Sequence, residues 1–306
     1  MTVLRVMMSR DAVKEVQTPP DAIVHRWRLR GGTLELTAPL IMAICNVTPD
    51  SFSDGGEHLS VPMALQFASA AWRDGATILD IGGESTRPGA TPVSAACELA
   101  RVLPVVRAVR DRLPEMSITV DTVKAEVAHA ALSAGAHAVN DVSGGRIDPL
   151  MFGVVAEFGA GMVIMHSRGT VADMASLTHA SYAGDVVARV CDELGEQLRR
   201  AREAGIASAA LVVDPGIGFS KTSAQSLALL RELPRVVSLG YPVLIGASRK
   251  RIIGELTGVT EPSQRVVGSA VAHAFAVQAG ARIVRTHDVA ATREALAVAF
   301  ALGRAS

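Results

Sequence analysis

The chain reads as a series of short, unbroken apolar runs, each separated from an amphipathic stretch by a glycine. Asp74-Gly75-Ala76 precedes Thr77-Ile78-Leu79-Asp80, and Ala134-Gly135-Ala136 precedes His137-Ala138-Val139-Asn140. Phe158-Gly159-Ala160 precedes Met162-Val163-Ile164-Met165, and Ala279-Gly280-Ala281 precedes Ile283-Val284-Arg285. Looser versions follow Gly205 and Gly240, ahead of Leu211-Val212-Val213-Asp214 and Val243-Leu244-Ile245-Gly246. A glycine just past a helix end takes the left-handed conformation at little cost and turns the chain into the next strand. Leu40 to Ile44 and Ser117 to Val120 complete a set of eight strand candidates. All are continuously apolar, as strands covered on both faces of a parallel sheet must be.

Between the runs lie helical patterns. Ser60 to Asp74 starts on a candidate N-cap, Ser60, and carries Leu65, Phe67, Ala68, Ala71 and Trp72 on its apolar side. Ser94 to Arg112 does the same with Leu99, Val102, Leu103, Val106 and Val109. Eight alternations predict an α/β fold, a single-domain (β/α)8 TIM barrel, and fit an open doubly wound sheet less well. Ahead of them, His25 to Thr37 alternates like a hairpin turning at Gly31-Gly32, placed to plug the lower end of the barrel. Residues 1–24 read as a flexible extension containing the linker Thr18-Pro19-Pro20-Asp21, and residues 25–306 as the barrel domain.

Composition narrows the function classes. Thirty Lys and Arg balance thirty Asp and Glu, so there is no electrostatic footprint for a nucleic acid. Aromatics are 4% of the chain, too few for base-stacking platforms. The apolar fraction of 49% supplies a large core. Cys45, Cys97 and Cys191 are isolated and odd in number, which argues against a disulfide framework and for a reducing, cytoplasmic setting. Met1 to Gln17 has no apolar stretch long enough for a signal-peptide core. Val266 to Val284 is interrupted by His273, Gln278 and Arg282, and reads as a helix running into a strand instead of a membrane span.

The chemistry collects where polar residues end the apolar runs: Asn46, Asp80, Asp121, Asn140-Asp141, His166, Asp214, Ser248-Arg249-Lys250, and Arg285 with His287. In a barrel these ends meet at the C-terminal rim, where such folds place their sites. One Asp or Asn at a strand end reads equally well as a helix cap, but caps give no reason for Lys250, Arg285 and His287. Two polar, glycine-rich segments, Asn46 to Gly56 and Gly82 to Ala90, follow strands and read as loops over that rim. Ser85-Thr86-Arg87 suits a phosphate oxygen, and Asn46 is a hard oxygen donor of the kind Mg²⁺ accepts. Asp121, Asn140 and Asp214 suit a planar heterocycle with an amino-lactam edge. The pattern points to a small substrate carrying phosphate on a nitrogenous ring.

These residues resemble a known family. Asn46-Val47-Thr48-Pro49-Asp50-Ser51-Phe52-Ser53-Asp54-Gly55-Gly56 and Asp80-Ile81-Gly82-Gly83-Glu84-Ser85-Thr86-Arg87-Pro88-Gly89 are similar to the two signatures of the dihydropteroate synthases. The likeness continues in order through Val120-Asp121-Thr122, Asn140 to Gly145, Met165-His166, Asp214 to Phe219, Ala247 to Lys250 and Arg285 to Val289. It implies a Mg²⁺-dependent transferase of folate biosynthesis, a sulfonamide target. Such an enzyme joins para-aminobenzoate to 7,8-dihydropterin-6-ylmethyl diphosphate and is commonly a homodimer. By the same likeness, Asp121, Asn140, Met165, Asp214, Lys250 and Arg285 would hold the pterin. Asn46, Thr86, Arg87, Arg285 and His287 would hold the diphosphate, and Phe52, Pro88, Phe219, Lys250 and Ser248 the aminobenzoate. Mg²⁺ would sit near Asn46 with Asp50 or Asp54, and Asp121, Lys250, Arg285, His287 and Arg87 would carry the catalysis. Three rivals stay open at this point: a related barrel that transfers a methyl group from methyltetrahydrofolate to a corrinoid protein, a non-catalytic pterin-binding module, and a sulfonamide-tolerant version of the same enzyme. Ser167-Arg168-Gly169-Thr170 and Thr286 depart from the family pattern; Thr286 should point away from its functional neighbours by strand alternation.

Overall fold

The computed structural model describes residues 26–48, 61–85 and 91–303. The expectations for residues 1–24, for Ser60 as a cap, and for Asp50, Phe52, Asp54, Thr86, Arg87 and Pro88 lie outside that set. The first elements among the described residues form a hairpin, β1 (Arg26–Leu29) and β2 (Gly32–Glu35), paired Leu29 to Gly32 across Arg30 and Gly31. Gly31 has φ of +80°, the conformation a tight hairpin turn demands.

Eight parallel strands follow in alternation with helices. They are β3 (Leu40–Asn46), β4 (Ile78–Gly82), β5 (Ser117–Asp121), β6 (Ala138–Asp141), β7 (Gly161–Met165), β8 (Leu211–Asp214), β9 (Leu244–Ile245) and β10 (Ile283–Thr286). The helices are α1 (Val61–Asp74), α2 (Ala95–Arg112), α3 (Ala125–Ala134), α4 (Met151–Glu157), α5 (Val186–Glu203), α6 (Ser223–Arg231), α7 (Leu233–Val237), α8 (Arg251–Thr257), α9 (Val266–Gln278) and α10 (Val289–Gly303). The sheet order is β8-β7-β6-β5-β4-β3-β10-β9, and a parallel bridge from Val213 to Val243 joins its two ends. The sheet is thus a closed barrel, as eight alternations predicted. All six glycines that separate helix from strand, Gly75, Gly135, Gly159, Gly205, Gly240 and Gly280, have positive φ.

The helices form for the reasons the pattern gave. Ser94 caps α2 by accepting from the Cys97 amide at 3.2 Å, and Val102, Val106 and Val109 face the sheet. In α1 the buried face is Ala64, Ala68 and Ala71; Leu65, Phe67 and Trp72 pack at its margin.

Strand alternation divides the barrel interior into layers. The lowest comprises Met42, Ile78, Ala138, Val163, Val212, Leu244 and Ile283. Trp27, Leu29 and Leu36 from the hairpin region close this layer from beneath, and the Trp27 indole donates to the Ala210 carbonyl at 2.9 Å. The hairpin is therefore the plug that its position suggested. Above this floor, two residues further along each strand, the interior changes character.

Candidate active site

Two steps up from Ile78, Ala138, Val212 and Ile283 stand Asp80, Asn140, Asp214 and Arg285, with Thr119 of β5 in the same layer. Asp80 is the hub, with no exposed side-chain surface. Its carboxylate accepts from Arg285 Nε at 2.6 Å, from Asn140 Nδ2 at 2.8 Å and from Thr119 Oγ1 at 2.5 Å. Arg285 also donates through Nη2 to Asp121 Oδ2 at 2.6 Å, so its guanidinium lies between two carboxylates. Burial opposes the charge on Arg285, but Asp80 and Asp121 hold its pKa above the ordinary value. Burial pushes the Asp121 carboxyl up to about 7; the Asp80 charge adds to this, while Arg285 opposes it.

Asp214, at the end of β8, anchors the next loop by accepting from the Gly216 amide at 2.7 Å. Its pKa is raised by burial, against the pull of Lys250. Lys250 precedes α8 and reaches across to the Ile217 carbonyl; its ammonium lies 4.4 Å from the centre of the Phe219 ring. Burial brings Lys250 down to about 8, with Asp214 acting the other way. Phe219 belongs to an apolar group over one side of the mouth with Val123, Val142, Met165 and Met174. One wall of the site is thus apolar and aromatic, and its floor is charged.

The top of the interior holds Asn46, Gly82 and Asp121 side by side. A Cβ added to Gly82 would stand 3.4 Å from Asp121 Cβ and 3.6 Å from Asn46 Oδ1. The missing side chain keeps the mouth open there. His287 follows β10, which lies beside β3; its Nδ1 is 3.0 Å from Ser248 Oγ, and its amide donates to the same oxygen at 3.1 Å. The Ser248 hydroxyl is therefore engaged with His287.

The structure brings together Asp121, Asn140, Met165, Asp214, Phe219, Lys250 and Arg285 around one mouth, with Asn46, Ser248 and His287 on its rim. Not every polar strand end belongs to it. Asp141, His166 and Arg249 alternate with inward residues and turn outward. Asp141 accepts from the amides of Ser143 and Gly145, the capping role open to any Asp at a strand end. Arg249 pairs with Asp288 at 2.5 Å, so the Ser248-Arg249-Lys250 run adds one cation to the site instead of two. Thr286 points outward, bonding Thr292 of α10 at 3.0 Å. Sequence reasoning put Asp80 among the polar strand ends at the rim but gave it no role, and it left Thr119 out; the shared alternation of Ile78 with Asp80 and of Ile283 with Arg285 was the signal that pairs Asp80 with Arg285. It also missed Lys221, a loop lysine with no exposed surface.

A closed barrel with an apolar floor and a mixed-charge upper layer opening at the C-terminal ends of its strands is the layout of a barrel enzyme with its site at that rim. Residues 42–287 match the family described as pterin binding enzyme. Dihydropteroate synthase of Synechocystis is 44% identical over 264 residues, 86% of this chain and 90% of that protein. The Xanthomonas albilineans dihydropteroate synthase solved with 4-aminobenzoic acid superposes with a TM-score of 0.86 at 46% identity, covering 92% of this chain and all of that one. The Thermus thermophilus dihydropteroate synthase in complex with 6HMPPP gives 0.78 at 45% identity over 91% of this chain and all of that one. The chain belongs to the pterin binding enzyme family and, within it, to the dihydropteroate synthases, transferases of folate synthesis.

Proposed function

We propose that this chain condenses 4-aminobenzoate with 7,8-dihydropterin-6-ylmethyl diphosphate, releasing diphosphate and forming 7,8-dihydropteroate. The observation that carries this reading is the layer of Asp80, Asn140, Asp214 and Arg285, with Asp121 just above it and Lys250 beside it. It supplies acceptors for the N–H edge of a pterin and a cation for its carbonyl. The 4-aminobenzoic acid and 6HMPPP complexes of the related enzymes support the choice of substrates. The corrinoid methyl-transfer and binding-module readings lose ground to the same similarities.

In this reading the bond between the pterin methylene and the diphosphate oxygen breaks early, because the ring delocalises a methylene cation. Asp121, buried within the ion-pair layer, offsets positive charge growing on the ring. Arg285 and His287 face the departing diphosphate, and the family likeness assigns Thr86 and Arg87 to the same group. Phe219, Lys250 and Ser248 bound the pocket in which the aniline nitrogen waits, a role the family likeness also gives to Phe52 and Pro88. The nitrogen attacks as the bond to diphosphate opens, and no protein nucleophile is required. Cys45, next to Asn46, fits a core role: burial pushes its thiol up to about 12. Asn46 turns an amide oxygen into the mouth beside Asp121. One hard donor of this kind, with Asp50 or Asp54 and substrate oxygens, suits Mg²⁺, which would supply Lewis-acid stabilisation of the diphosphate.

The test is diphosphate release by the full chain with both substrates and Mg²⁺. Release that depends on 4-aminobenzoate is the expected result. Pterin binding without release would instead favour the binding module.

We also propose a homodimer. Val267, Val271 and Phe275 form an exposed stripe along α9, and Val298 and Leu302 extend it on α10. A second copy of the same face is the partner this apolar surface suits; a monomeric mass at micromolar concentration would end the idea. A cytoplasmic location accords with the free cysteines Cys45, Cys97 and Cys191. Among the described residues, no helix is long and apolar enough to cross a membrane.

A further inference from the structure

The loop joining β8 to α6 is wound around a buried lysine. Gly216, Gly218 and Ser220 have φ of +70°, +79° and +50°, and this alternation curls the backbone so that carbonyls turn inward. A Cβ at Gly216 would stand 1.9 Å from the His166 carbonyl oxygen, so no other residue fits that turn. Lys221 Nζ sits at the centre of the curl. It donates to the Phe219 carbonyl at 3.0 Å and the Gly216 carbonyl at 3.2 Å, and lies 2.8 Å from His166 Nδ1.

The proton positions follow from the far end of the network. His166 Nε2 is 2.9 Å from Glu193 Oε2, and Glu193 also receives Arg168. Burial alone would raise Glu193, but the bonds from His166 and Arg168 bring it down to about 2, so it is ionised. Burial and the Lys221 charge bring His166 down to about 4, so the ring is neutral. The single ring proton must then lie on Nε2, facing the carboxylate, which leaves Nδ1 as an acceptor. Four acceptors surround Nζ, the His166 carbonyl at 3.3 Å being the fourth, so all three protons of an ammonium find partners. That geometry favours the charged form, while burial pulls Lys221 down to about 7.

The other side of the same loop faces the site. Its Ile217 carbonyl accepts from Lys250, and its Phe219 ring lies against the Lys250 ammonium. We propose that Lys221 is a positioning residue: through the Gly216 and Phe219 carbonyls and His166 it fixes the loop that sets Phe219 and Lys250 for the aminobenzoate. Lys221 itself touches no substrate. The proposal rests on the substrate reading above, in which Phe219 and Lys250 bound the aminobenzoate pocket. The pterin contacts at Asp121 and Asn140 stand on strands that Lys221 does not hold, and of the two residues the loop sets only Lys250 is shared with the pterin, so the aminobenzoate should respond more strongly than the pterin.

The experiment is steady-state kinetics on the full chain, wild type beside Lys221→Met, His166→Asn and His166→Leu, with pterin affinity measured separately by calorimetry. Wild-type turnover establishes the reaction independently of the variants, so failure of the substrate reading would show there. Lys221→Met is expected to raise KM for 4-aminobenzoate about tenfold, the size of one charged hydrogen-bond set, with pterin affinity within about threefold. His166→Asn keeps an oxygen near the Nδ1 position and should hold KM within about threefold, whereas His166→Leu removes the acceptor and should approach the Lys221→Met value. If Lys221→Met does not fold, the two His166 variants decide. An unchanged KM in Lys221→Met, equal losses for both substrates, or identical behaviour of His166→Asn and His166→Leu would overturn the proposal.

Discussion

The floor of the barrel and the layer above it are built from the same strands, two residues apart, and obey opposite rules. Ile78 packs beneath Asp80, Ala138 beneath Asn140, Val212 beneath Asp214 and Ile283 beneath Arg285. The lower layer is apolar, closed by Trp27, and its side chains gain their stability chiefly from burial. In the upper layer, charges removed from water are held by one another, an arrangement that rarely stabilises a fold relative to well-packed apolar residues. The contrast separates what the barrel needs in order to stand from what it needs in order to act.

The largest way to break the contrast is Arg285→Leu. It leaves Asp80 and Asp121 without their shared cation and should cost about 3–5 kcal/mol of stability, the usual size for opening a buried pair. Turnover should fall by about a thousandfold or more, the scale of losing a charge-stabilising donor. Adding Asp80→Leu should return much of the melting temperature and none of the activity. If the double variant regained turnover, the layer would be structural and the site would lie elsewhere.

Trp27→Ala tests the other layer. Truncating a fully buried indole at the plug should cost about 3–5 kcal/mol, read as a lower denaturation midpoint with an unchanged slope. Under conditions where the variant is folded, KM for both substrates should stay within about twofold. A selective rise in one KM would show that floor and site are mechanically coupled, and the division into layers would fail.

Much of this was legible in the sequence. The glycine-punctuated runs gave six strands and two further apolar runs the other two, and every punctuating glycine has the left-handed backbone expected of it. The hairpin plug followed from alternation and the Gly31-Gly32 pair. At the site, Asp121, Asn140, Asp214, Lys250 and Arg285 converge as the strand ends suggested. What sequence blurred was the direction of neighbours. Asn140 and Asp141, or Ser248 and Arg249, are adjacent in the chain and opposite in space, and only a fixed strand register says which one faces in. Lys221 was not legible for a different reason. A lysine in a loop ordinarily points to water, and its burial depends on carbonyls gathered by three successive positive-φ turns and on Glu193 from a distant helix.

The finest test of the contrast is pH, because the upper layer titrates and the apolar floor does not. Asp121, raised by burial to about 7, should lose its proton as pH rises through that value, and the ionised form is the one that offsets charge on the pterin. Lys250, lowered by burial to about 8, loses its charge above that. The kcat/KM profile should therefore be a narrow bell with limbs near these two values, each limb changing about tenfold per pH unit at its steepest. Asp121→Asn should abolish the acid limb. Stability should respond in the opposite sense. The native state holds the Asp121 proton at pH values where the unfolded chain has released it, so this group favours folding below about pH 4 and loses that contribution as pH rises toward 7. Lys250 and Lys221 bind their protons more weakly when folded. Their protonation in the unfolded chain opposes folding near neutrality, and that cost is relieved as pH climbs from about 7 or 8 toward 10. Activity should peak close to where these groups contribute least to stability. Asp121→Asn should flatten the acid side of the melting-temperature profile while Trp27→Ala shifts the whole curve down without changing its shape. A Trp27→Ala curve that altered in shape, or an Asp121→Asn curve that did not, would mean that the acid-side response does not arise from Asp121 above an inert floor.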